Sequence, residues 1–132
     1  MNPEEIRGYY EQQVGNVPPP IQAAIEHMPE AMAGYMRLRN FITDDAGGEG
    51  LPARYIGLVF AMLDTATGNY EGALNHGRAA LNAGLNWREL MQGFVQVWVV
   101  HGFASTWGKV GFKVVEQLQK EGFGPQQSTK MK

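Results

Sequence analysis

Three histidines and no cysteine set the chemistry open to this chain. Imidazole titrates near neutrality and serves as a general acid or base. Disulfides, thiolate metal sites and thiol catalysis are excluded together. His76 lies in NYEGALNHGRAALNAGLNWREL, residues 69–90, among alanines and glycines. At about 100° per residue, Gly72, Ala73, His76, Ala80 and Ala83 share one helical face of small side chains. Such a face lets another helix approach closely or leaves room for a ligand. His76 therefore reads either as a hydrogen-bonded core histidine or as an acid/base group, and spacing does not separate the two. His101 ends an apolar stripe of Trp87, Leu90, Met91, Phe94 and Trp98, just before Gly102. A pocket walled by Trp98 and closed by His101 would hold a flat, apolar-bodied molecule with a polar group. Ordinary core packing accounts for the same stripe. Trp107 reaches that region only if the helix bends.

The charged candidates are fewer. Glu71 precedes His76 by five positions, about 140° around the helix, and joins Asn75, Arg78 and Asn82 in a polar stripe. Asp64, late in an apolar helix, is placed either to orient a histidine or to meet solvent at the helix end. Arg54 is a candidate carboxylate anchor through its planar fork. Tyr70 joins Arg54, Trp98 and Trp107 as a candidate substrate contact. Three separated histidines without an HxxH or HxxxH pair give no metal site, and no glycine-rich phosphate loop follows a strand.

The elements that must position these residues are helical. Beta-branched residues are few and no strict alternation runs far. Pro3 with Glu4 and Glu5 opens a first helix, which ends by Gly15 because VPPP at 17–20 cannot continue it. Further helices are expected from Pro20 to His27, from Pro29 onward, and from Pro52 to Thr67, with TDDAGGEG (43–50) as a loop. Gly68 stops the fourth and Asn69 caps the fifth, which closes at Gly84 before Asn86 starts afresh. The last helical region, Trp87 to about Lys120, is expected to bend or break near Gly102 or Gly108. The expected class is an all-α, single-domain bundle of about six helices over 1–122, followed by a flexible tail at 123–132.

With 132 residues and a net charge of -2, no basic surface recommends nucleic acid or an anionic membrane as partner. No apolar run reaches membrane-span length, and the N-terminus lacks the pattern of a signal peptide, so a cytoplasmic location is expected. Hydrophobic residues make up 44% and flank the helices on more than one side, which favours oligomers.

The order of these features resembles the carboxymuconolactone decarboxylase family, which includes the alkylhydroperoxidase-type proteins. It is carried by Pro29 and Glu30 opening a helix, the apolar helix at 52–67, His76, AALNAGLNWREL (79–90) and HGFAS (101–105), over roughly residues 29–118. The resemblance implies an alkylhydroperoxidase-D-like helical subunit that assembles into trimers or hexamers. The peroxidase branch uses a CxxCxxxH motif; counting back from His76, its cysteine positions fall on Asn69 and Gly72, so that redox chemistry is excluded here. The decarboxylase branch implies a histidine, at His76, with an acidic helper four residues earlier. That position is Gly72, and the glutamate stands one place off at Glu71.

The leading expectation is a cofactor-free carboxy-lyase acting on a small carboxylate, a lactone or similar unsaturated ring-cleavage acid. In it His76, His101 and Glu71 do the acid/base work while Arg54, Trp98, Tyr70 and Trp107 hold the substrate. Two others stand beside it: a non-catalytic binding or assembly subunit, and an isomerase or cyclase on the same scaffold.

Overall fold

The structure, a computed structural model, describes residues 1–125. Residues 126–132, most of the expected tail, lie outside the described residues. Within it, Phe123 donates its backbone N–H to Leu118 and packs against the core. All regular secondary structure among the described residues is helical, as the sequence pattern predicts. The chain divides into two compact units, Met1–Gly50 and the remainder from Leu51.

The first unit holds α1 (Pro3–Val14), α2 (Pro19–His27) and α3 (Pro29–Thr43). Asn2 and Glu5 form a reciprocal capping box at the start of α1, satisfying two otherwise orphaned N–H groups. Ile6, Tyr10, Ile25, Met32 and Met36 make a small core. A 3-10 turn at Ala46–Gly48 lies in the expected loop.

The second unit contains α4 (Ala53–Ala66), α5 (Tyr70–Asn82), α6 (Trp87–His101), the short α7 (Phe103–Thr106), a π-helical turn (Trp107–Gly111) and α8 (Phe112–Lys120). The expected last helical region is thus broken at Gly102, whose φ of 100° is open to glycine but strained for other residues. A π turn then carries the chain into α8. Leu81, Leu85, Leu90, Phe94, Val110, Val114 and Leu118 form the core.

Two helices matter most for the site. α4 and α5 form a hairpin through a turn at Thr67–Gly68, where Gly68 has φ 82° and the Asn69 side chain caps α5 by accepting from Gly72 N–H. The hairpin is tight. A Cβ on Gly57 would lie 2.8 Å from Ala80 Cβ and 3.0 Å from its backbone, so glycine at 57 and alanine at 80 set the helix separation. At the far end of α5, Arg78 grips Glu121 just beyond α8 with two hydrogen bonds of 2.6 and 2.8 Å. This fork holds the Glu121 carboxyl at about 2, well below its ordinary 4.5.

Candidate functional site

Helix direction explains how the site is built. Side chains lean toward the N-terminus of their own helix. Asp64, at the end of α4, leans away from the hairpin turn, whereas His76, two turns into α5, leans toward it. They meet: His76 Nδ1 lies 2.8 Å from Asp64 Oδ2. Phe60, one turn before Asp64 on the same face of α4, stacks on the imidazole with ring centroids 4.6 Å apart and planes at 26°.

A carboxylate only accepts, so the proton of the neutral ring resides on Nδ1 and the lone pair on Nε2. Nε2 makes no hydrogen bond among the described residues. The His76 side chain is 31% exposed and that of Asp64 20%, so the dyad is half-buried. Asp64 is itself held. Asn69 Nδ2 donates to Asp64 Oδ1 at 3.3 Å, while Asp64 O accepts from Asn69 N–H at 2.8 Å. The carboxylate also abuts the first turn of α5, where the peptide dipole favours negative charge.

His101 lies elsewhere. It is exposed and lines a cavity of about 190 Å³ with Met62, Leu63, Ala66, Gln96, Val97 and Val100. At about 100° per residue, Met62 and Ala66 point roughly opposite to Phe60 and Asp64 on α4. The two imidazoles therefore serve different faces of one helix, and a single chain does not bring them together.

Comparison with family models and with curated proteins finds no match. Among solved structures, a crystal structure from Burkholderia xenovorans LB400, named as a proposed carboxymuconolactone decarboxylase, is 34% identical to this chain. The match covers 89% of this chain and 91% of that one, with a TM-score of 0.77. The chain belongs to the carboxymuconolactone decarboxylase family.

His76 acquires its partner, Asp64, from the preceding helix. Glu71 is exposed on α5. Arg54 lies ten residues before Asp64, roughly 15 Å along the axis of α4. Its guanidinium covers the Tyr55 ring, 4.6 Å from the centroid. Tyr70, in the first turn of α5, packs against the core. Trp98 and Trp107 meet edge to face at 5.2 Å, Trp98 also meeting Phe103 and Trp107 meeting Phe94. Together these rings form an aromatic box. No group of three or more His, Asp or Glu capable of holding a metal occurs among the described residues. No described helix is long and apolar enough to cross a membrane.

Phe60, Asn69 and Gly72 carry site geometry that residue-type reasoning passes over. The signal for Phe60 is its four-residue spacing from Asp64, which puts an aromatic ring and a carboxylate on one face. The short turn at 67–68 then folds that face onto the start of α5.

Proposed function

We propose that this chain is a cofactor-free carboxy-lyase in which His76 moves the proton, acting on a carboxylated lactone or similar unsaturated ring-cleavage acid. The observation that carries the reading is the 2.8 Å contact between Asp64 and His76, which leaves Nε2 as the reacting nitrogen. The likeness to the Burkholderia protein supplies the reaction class. As the carbon–carboxylate bond breaks, carbon dioxide leaves and its electron pair passes into an adjacent carbonyl as an enolate. Protonated His76 then delivers its Nε2 proton to that carbon, and the neutral ring regains a proton from water. Asp64 stabilises the imidazolium and fixes the ring's orientation. Phe60 keeps the imidazole plane in place.

The further roles of this reading are His101 at the enolate oxygen, Arg54 on a substrate carboxylate and Trp98 as pocket wall. None of these residues lies on the His76 face of α4, so these roles call for a neighbouring copy of the chain. Assembly into a trimer or hexamer is part of the proposal.

The test is carbon dioxide release from carboxylated unsaturated lactones. His76→Gln is expected to slow turnover by about 10²–10⁴-fold with the circular dichroism of the fold unchanged. Near-wild-type turnover by that variant would remove His76 from the mechanism. An isomeric product of unchanged mass would identify an isomerase or cyclase, and ligand-induced stabilisation without turnover a binding subunit.

A further inference from the structure

We infer that Gly72 is the positioning residue of the dyad: the bare Cα at 72 is what admits the Asp64 carboxylate to His76. A Cβ built on Gly72 would lie 2.6 Å from Asp64 Oδ2, 2.8 Å from Asp64 Cγ and 2.6 Å from Asn69 Nδ2. No side chain at 72 can coexist with Asp64 where it stands, because these separations lie well inside van der Waals contact. Gly72 needs no glycine for its backbone, since it sits in the first turn of α5 and is not among the glycines of positive φ. Space, not conformation, is what the glycine supplies.

The identity of the crowded atoms separates this glycine from its neighbours. At Gly57 the added Cβ meets the Ala80 backbone, which cannot move without parting the helices. At Gly72 it meets the ends of two side chains, which can rotate away. Substitution at 72 therefore acts on the dyad more than on the fold. Asp64 swings out, His76 loses its acceptor at Nδ1, and the ring is free to exchange tautomers. The position holds either the Asp64 carboxylate or a side chain at 72, never both. Asn69 fits the same plan: its Oδ1 accepts from Gly72 N–H at 3.1 Å while its Nδ2 clamps Asp64. The inference takes its functional meaning from the reading of His76 as the proton carrier, but its geometry stands without it.

The experiment reads the tautomer of His76 by long-range proton–nitrogen correlation of the ¹⁵N-labelled full chain, without any substrate. The wild-type ring is expected mainly as the Nδ1-protonated form. Gly72→Ala should shift it toward the mixture of a free imidazole while thermal unfolding stays within a few degrees of wild type. In an Asp64→Ala background, adding Gly72→Ala should shift the tautomer no further, because the carboxylate it would displace is already gone. A Gly72→Ala protein that keeps the wild-type tautomer overturns the inference, as does an equal effect of Gly72→Ala with and without Asp64. Should Gly72→Ala alone not fold, a stably folded Asp64→Ala/Gly72→Ala double variant supports the inference and an unfolded one overturns it. Loss of turnover in His76→Gln bears on the enzymatic reading alone, so the two can fail separately.

Discussion

At the scale of residues, the dyad concentrates three effects on one ring: a charged acceptor at Nδ1, an aromatic plate on its face and an Nε2 without a hydrogen-bond partner among the described residues. Removing the charge while keeping the shape isolates the first. Asp64→Asn should lower turnover by about 10²-fold with little change in melting temperature, because an amide can still accept a hydrogen bond yet does not stabilise imidazolium. Steady-state rates of the two proteins would decide it, and equal rates would leave Asp64 a purely structural partner. His76 was legible in the sequence as the central group because its small-residue neighbours implied either close packing or a ligand. Its partner was legible only as one of two readings, because Asp64 at a helix end has the same appearance whether it faces water or a neighbouring helix. Glu71 was named from its one-place offset to the family motif and stands exposed on α5. Nearness along the chain and nearness in space diverge at every hairpin.

At the scale of elements, local rules carried far. Prolines at helix starts, Asn69 and Asn86 as caps and glycines at helix ends specify their boundaries through neighbouring backbone groups, so one stretch of sequence suffices. Which faces pair is a long-range matter. The apolar stripe of α4 illustrates it: Val59 and Leu63 are exposed while Phe60 turns onto His76. Two measurements probe the hairpin and its anchorage. Gly57→Ala should destabilise by about 1–3 kcal/mol through overpacking against Ala80, read as a lower denaturant midpoint. The Arg78–Glu121 fork should make stability pH-dependent in a defined window. The Glu121 carboxyl is depressed when folded, so its contribution is complete above its ordinary 4.5 and is lost as pH falls toward about 2. After allowance for solvent screening the loss is about 1 kcal/mol, and Glu121→Gln should flatten the stability curve across that range.

At the scale of the whole molecule, large apolar side chains remain uncovered. Val99 is 80% and Phe103 56% exposed, with Leu63, Val95 and Val100 also open in the second unit. In the first unit Phe41 is 86% exposed, with exposed Leu38 one helical turn before it on α3. Surfaces of this kind mark contacts with other molecules. If they are contacts between copies, the wild-type chain should sediment as a trimer or hexamer at micromolar concentration. A Val99→Lys/Phe103→Glu variant should then shift toward monomer while keeping its helical content. Monomeric wild-type protein would count against assembly and against the roles given to His101 and Arg54. The all-helical class was legible from the spacing of apolar residues.

The wide turn at Trp107–Gly111 sets a phase. A π turn accommodates an additional residue within a helical path, so the residues on either side are rotated relative to an uninterrupted α-helix. At its first residue, Trp107 is dialled onto Phe94 and Trp98; downstream, Val114 and Leu118 are dialled onto the core under α5. Trimming one residue there would straighten the rod but leave it out of step, so that tryptophan and valine rows could no longer both face inward.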